Sequence, residues 1–185
     1  MYKLSVSLRT IKEEDLEKVM NWRMLPEITK YMNTDPVLTI EGQRKWLKAI
    51  EENPDVKYWM IEVDNEPAGV INLTGLLKDD GNIGWAYYMG EQRLRSMKTA
   101  LALEMSMYDY AFKVLDKKSV ISDVFSLNTG VIALHKICGC EIMEERKNYV
   151  SKNGVSYDVT FMRMTKENWM GICDSKKYEK IDFAG

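Results

Sequence analysis

Three cations crowd into a short stretch of this 185-residue chain: Arg93, Arg95 and Lys98, with no acid between Glu91 and Ala100. They fall where a long helix is predicted to begin, at about Ser96, running to Leu115. A helix start offers unpaired backbone N–H groups and the positive end of a dipole. Cations added there make a seat for an anion, above all a phosphate, although an ordinary solvated helix start has the same composition. The single histidine, His135, lies on a shorter predicted helix from Thr129 to Ile137, stopped by Gly139. One histidine excludes an HExxH zinc site. The chain has no GxSxG, no GxxxxGK[ST] and no GxGxxG, so the nucleophile-elbow and common nucleotide-loop motifs are absent. His135, Cys138, Cys140 and Cys173 nominally supply four soft ligands, but their spacing is unlike a CxxC site, and no metal is expected.

These residues need a scaffold, and the composition allows one. Apolar residues make up 45% and charged residues 29%, enough for a single core of ordinary size. The formal charge is -2, from 26 basic and 28 acidic side chains, so there is no basic excess for nucleic acid. No apolar run reaches the roughly 18 to 20 residues of a membrane span. The opening MYKLSVSLRT does not read as a signal peptide. Three cysteines, two of them too close for an easy bridge, fit a reducing cytoplasm.

Residues Leu4 to Leu8 alternate and read as a strand. Thr10 and Glu13 suggest a capping box for the helix carrying Leu16, Val19 and Trp22. A short helix after Pro26 and another from Thr39, with Trp46, Leu47 and Ile50 inward, follow. Lys57–Val63, Gly69–Leu76 and Ile83–Met89 form an antiparallel meander, with Asp64-Asn65-Glu66-Pro67 as its first turn. After the long helix come a strand at Ser119–Phe125, the His135 helix, and a hairpin of Glu141–Val150 and Val155–Met164 around Asn153-Gly154. The order implies a mixed α/β domain over residues 1–170. It has one central, mainly antiparallel sheet with helices on both faces. Residues 171–185 form a C-terminal tail, polar from Asp174 and expected to fray.

At Arg95 to Ala100 the chain resembles the GNAT-fold acetyltransferases, whose fingerprint here is Arg/Gln-x-x-Gly-x-Gly/Ala. Arg95 and Ala100 match; Ser96 and Lys98 stand at glycine positions. Downstream, Asn128-Thr129-Gly130-Val131-Ile132-Ala133-Leu134-His135 through Gly139-Cys140 resembles the family's Asn-x-x-Ala-x-x-Leu-Tyr/His element. In the N-terminal half, Asn21-Trp22-Arg23, Pro26-Glu27-Ile28, Tyr31-Met32 and Trp46-Leu47 are similar to the bacterial UDP-4-amino-sugar N-acetyltransferases of the pseudaminic-acid pathway. So is Lys166-Glu167-Asn168-Trp169 near the C-terminus. The likeness covers roughly Leu4 to Trp169 and overlaps the ribosomal-protein N-terminal acetyltransferases.

The resemblance implies acetyl-coenzyme A as cosubstrate and no metal. It assigns the cofactor to Tyr87, Tyr88 and Met89 on a splayed strand, to Arg93, Leu94, Arg95, Ser96, Met97, Lys98, Thr99 and Ala100 at the helix start, and to Asn128 and Lys136. Lys98 or Arg93 would make up, by charge, for the missing glycines. His135 would protonate the departing thiolate. An unperturbed imidazole near 6.5 is roughly a quarter protonated at pH 7, so the alkaline loss of rate would start lower than with a tyrosine. Trp22, Arg23, Met32, Gln43 and Trp46 would receive the acceptor, although Trp22 and Arg23 equally fit a core edge and a surface ion pair. No base stands out, with Glu62 the nearest candidate. The implied acceptor is a small-molecule amine, a UDP-linked amino sugar first and a protein N-terminus second. A non-catalytic acyl-coenzyme A sensor is the alternative of another class. The expected state is a cytoplasmic monomer or homodimer, without nucleic acid or membrane.

Overall fold

The computed structural model describes residues 5–183. A seven-stranded sheet runs in the order β1-β2-β3-β4-β5-β7-β6. Its strands are β1 (Val6–Arg9), β2 (Val56–Val63), β3 (Glu66–Thr74), β4 (Asn82–Met89), β5 (Ser119–Phe125), β6 (Glu141–Lys152) and β7 (Val155–Thr165). Among the described residues the one parallel pair is β4 with β5. The helices around the site are α1 (Leu16–Arg23), α2 (Pro26–Thr29), α3 (Ile40–Glu52), α4 (Met97–Asp109) and α5 (Thr129–Cys138), and α6 (Lys166–Ile172) follows β7. This is the mixed α/β architecture expected. Leu4 of the expected first strand lies outside the described residues.

The period-2 pattern of β2 explains the two cores. Trp59, Ile61 and Val63 face the larger one with Leu103, Met107 and Phe112 of the long helix; Met60 faces the smaller one with Leu16, Val19 and Leu47. Helices therefore cover both faces of the sheet.

Several local expectations shift. The Thr10–Glu13 capping box does not form. The Asp15 carboxylate instead accepts the Lys12 N–H at 2.8 Å, and Arg9 grips Asp15 at 2.7 and 2.9 Å. Asp64 and Asn65 both have positive φ and close the β2–β3 turn alone. Strand β3 therefore begins at Glu66, with Pro67 opposite Glu62 at a bulge. The long helix ends in a wider turn over Tyr110–Val114, where the Leu115 N–H reaches back five residues to Tyr110 at 3.0 Å. Asn153 and Gly154 both have positive φ, as the hairpin turn requires.

As far as Phe183, where the described residues end, the tail packs on the domain rather than fraying. The Ile181 N–H donates to Ser106 Oγ at 2.9 Å, and Phe183, 2% exposed, meets Trp59 edge-on with centroids 5.3 Å apart. Two apolar residues in a polar segment outweigh its average polarity, because each finds a place in the core. Phe183→Ala is expected to lower unfolding free energy by about 3–5 kcal/mol, read from urea denaturation. A loss below about 1 kcal/mol would show that the docked tail contributes little.

Candidate active site

Strand β5 pairs with β4 only at Asn82–Gly84 against Ser119–Ile121. Beyond Gly84 the two strands part, while β5 stays paired to β7 along its length. Backbone groups of Trp85–Met89 that would have bonded β5 therefore face a gap. Trp85 spans its narrow end, its Nε1–H donating to Ser122 Oγ at 2.7 Å.

Two cavities open at the gap. The first, about 660 Å³, runs from the start of α4 past β4 to Asn128, Leu134 and His135. The second, about 510 Å³, lies between α1, α3, β2 and the loop after α2. Both are bordered by Tyr31, Met32, Trp85–Tyr88 and Asp123. A donor in one and an acceptor in the other would meet along this shared wall, and the volumes suit small-molecule sites.

Of the residues expected at the cofactor, the first cavity gathers Tyr87, Tyr88, Met89, Arg95, Ser96, Met97, Thr99, Ala100 and Asn128, with His135 at its end. Arg93, Leu94, Lys98 and Lys136 are not part of its lining. Arg93 is ion-paired with Glu66. Leu94 packs on the main core. Lys98 pairs with Glu179 at 3.1 Å. Lys136 sits on the exposed side of α5. The expected compensation by Lys98 or Arg93 thus has no support in their placement. Even Arg95 turns its guanidinium back, donating to the Met89 carbonyl at 3.0 and 2.7 Å.

What fits a diphosphate is the backbone. Ser96 caps α4, its Oγ accepting the Thr99 N–H at 3.0 Å. Helix geometry leaves the N–H groups of Met97 and Lys98 without an intrahelical acceptor. None of residues 91–100 has positive φ, so the loop does not need glycine for its conformation. Ser96 and Lys98 occupy glycine positions without backbone strain.

In the second cavity the structure gathers Arg23, Met32, Gln43 and Trp46, with Trp46 meeting Tyr58 edge-on at 5.4 Å. Trp22 is not there. Its ring lies so close over Gly90 that a Cβ on Gly90 would come within 2.1 Å of it, and Nε1–H donates to Glu91 at 3.2 Å. Trp22 is a core residue, buried in the α1–α3 cluster. Arg23 donates from Nη2 to Thr34 at 3.2 Å, while its Nη1 is out of solvent and has no partner among the described residues. Desolvation pushes the Arg23 pKa down.

Glu62 is removed from both cavities: Arg9 Nε holds it at 2.6 Å between β1 and β2. The carboxylate that does stand at the shared wall is Asp123, which reads in the sequence as an ordinary strand residue. It is open to the cleft, yet the atoms crowding it raise its pKa by desolvation. The other group missed is Glu104 on α4. It has no exposed surface and lies 2.9 Å from His135 Nδ1.

A sheet parted between parallel strands, with a capped helix start at the mouth, is the scaffold of an acyl-transfer enzyme as the resemblance required. Residues 5–141 match the family model described as the acetyltransferase (GNAT) domain. The chain belongs to the GNAT acetyltransferases, enzymes that use acetyl-coenzyme A. It is 22% identical over 139 residues to the acetyltransferase PseH of Campylobacter jejuni, covering 75% of this chain and 85% of that one. It is 23% identical over 167 residues to an uncharacterized prophage-derived N-acetyltransferase, YokL, of Bacillus subtilis, covering 89% and 92%. Among solved structures, a Vibrio cholerae spermidine N-acetyltransferase in complex with coenzyme A and spermine superposes with a TM-score of 0.82. It is 16% identical, covering 89% of this chain and 98% of that one. At that identity the likeness establishes the fold.

Proposed function

We propose that the enzyme transfers an acetyl group to the primary amine of a nucleotide-linked amino sugar. The observation that carries this is Arg23. A desolvated guanidinium with an unpaired Nη1, beside a cavity walled by Trp46, Tyr58 and Tyr88, calls for a ligand with oxygen acceptors and a flat ring. A nucleoside diphosphate carries both. The resemblance of the N-terminal half to the UDP-amino-sugar enzymes supports the same acceptor. A polyamine fits less well: among the residues lining the second cavity, Asp123 is the sole carboxylate, and Arg23 would repel a polycation.

Acetyl-coenzyme A supplies an activated thioester, and the chain's own groups do the rest. The α4 start holds the diphosphate through backbone N–H groups and the helix dipole. Unpaired N–H groups of β4 support the carbonyl oxygen as it gains charge. Asp123 takes a proton from the acceptor ammonium, freeing the nitrogen lone pair. Nitrogen bonds to the acyl carbon, and the proton that it sheds passes to His135. His135 then hands that proton to sulfur as the carbon–sulfur bond breaks, which returns the ring to its starting state. Asp123 releases the other to water, so one proton leaves per turnover.

Thiol release with a panel of amines tests the reading. A UDP-linked 4-amino sugar should outpace spermidine and a peptide N-terminus. Arg23→Met should raise the KM for the sugar nucleotide about 10- to 100-fold and leave acetyl-coenzyme A binding unchanged. Faster turnover with spermidine would overturn the acceptor class. Saturable binding of acetyl-coenzyme A without thiol release over any amine would favour a sensor.

A further inference from the structure

Glu104 is a carboxylate with 0% exposure on a helix whose neighbouring residues, Leu103, Met105 and Met107, are core. A charge in such a place is strongly unfavourable unless paired. Its partners come from three directions. His135 Nδ1 lies 2.9 Å from Oε1. The Tyr108 hydroxyl, one helical turn along α4, donates to the same Oε1 at 2.7 Å. Cys138 lies against it; burial first and then the Glu104 charge raise that thiol's pKa. Tyr108 Oη and Cys140 Sγ are 2.8 Å apart. The single hydroxyl proton of Tyr108 is spent on Oε1, so the Cys140 S–H is the donor in that contact. Oε2 is buried without a hydrogen-bond partner among the described residues, so the contacts converge on Oε1. An ionised carboxylate only accepts, and the ring nitrogen that faces it then brings the hydrogen. That leaves Nε2, which makes no hydrogen bond among the described residues, as the nitrogen on the side of the first cavity.

We infer that Glu104 is a positioning residue for His135: it holds the ring by Nδ1–H and so makes Nε2 the nitrogen that exchanges protons with the reacting atoms. The arrangement joins two helices that the sequence separates by 31 positions. It accounts for an acid among the core residues of α4. The kinetic part of this inference rests on the acetyl-transfer reading above. The tautomer does not, because it is a property of the free protein.

The chain has one histidine, so a histidine-labelled sample gives a single set of ring signals. In long-range proton–nitrogen correlation spectra of the neutral ring, Nδ1 is expected at the protonated, pyrrole-type position and Nε2 at the pyridine-type position. The reverse assignment overturns the inference. Glu104→Gln offers the ring an amide that donates as well as accepts. The Nε2–H form should then gain population and kcat fall about 10²-fold, with the dissociation constant of coenzyme A unchanged. Unchanged kcat in a folded Glu104→Gln variant would also overturn it. Tyr108→Phe, which removes the other donor to Oε1 but keeps the histidine contact, should retain kcat within about 3-fold; a loss equal to that of Glu104→Gln would point to packing instead. If Glu104→Gln does not fold, the wild-type spectrum decides alone. An Nδ1–H spectrum from a protein that acetylates no amine would sink the functional reading and leave the placement of Glu104 intact.

Discussion

Asp123→Asn is expected to lower kcat about 10³-fold near neutral pH with the acetyl-coenzyme A affinity unchanged. The acceptor amine arrives protonated, and an alkylammonium near pKa 10 needs about 4 kcal/mol to give up its proton at pH 7. Among the described residues Asp123 is the one carboxylate bordering both cavities, at the point where β5 has left β4. Desolvation raises its pKa, which makes it a stronger base than a solvated aspartate. It has to be ionised to accept the proton. Activity should therefore appear as pH rises through a value above the usual carboxylate range, and this acid limb should vanish in the asparagine variant. The deficit of the variant should shrink as pH rises toward the amine's own pKa, because a free amine needs no base. A deficit that stays constant with pH would mean that Asp123 orients the acceptor without deprotonating it.

The same residue links activity to stability. Its folded-state pKa lies above its unfolded value, so the native state binds a proton there more tightly than the unfolded chain. The stabilisation from that proton is present at low pH and is gone once pH has passed the raised value. At pH 7 the ionised side chain is an unfavourable group in the fold. Asp123→Asn should thus keep or raise the melting temperature while it removes activity, the pattern of a functional residue held against the interest of stability.

How far the sequence could be read followed the range of the interactions. Elements set by neighbours were legible. Lys57–Val63 read as a strand, and the structure makes it β2 with one face in each core. Asn153-Gly154 marked the hairpin turn, and Gly139, with φ of 109°, stopped α5. The start of α4 at about Ser96 followed from the helix pattern, and the place of His135, which lines the first cavity, from the family resemblance. What was not legible depended on partners distant in sequence. Arg93 and Lys98 read as free cations because Glu66 and Glu179 cannot be paired with them by spacing. The tail read as solvated because its polar average hides Ile181 and Phe183. Asp123 had no local signal at all, since its meaning comes from the parting of two strands. Glu104 had a faint one: an acid on the apolar face of α4, four residues before Tyr108.

His135→Gln is expected to lower kcat about 10³-fold. Alanine would be the poorer substitution, because it would also leave the buried Glu104 with Tyr108 but without the ring's hydrogen bond, at a cost of about 1–3 kcal/mol. Glutamine keeps bulk beside Trp85, whose ring centroid is 5.6 Å from the imidazole, and its amide can still donate to Glu104. It has no group that exchanges a proton near pH 7. The lost step should be the departure of sulfur, since a thiolate with a pKa near about 8.5 leaves more readily when protonated. A donor thioester built on a much more acidic thiol needs no such help. The gap between wild type and His135→Gln should close with that donor and stay wide with acetyl-coenzyme A. Equal losses with both donors would place His135 in binding or packing, and the proton to sulfur would have to come from water.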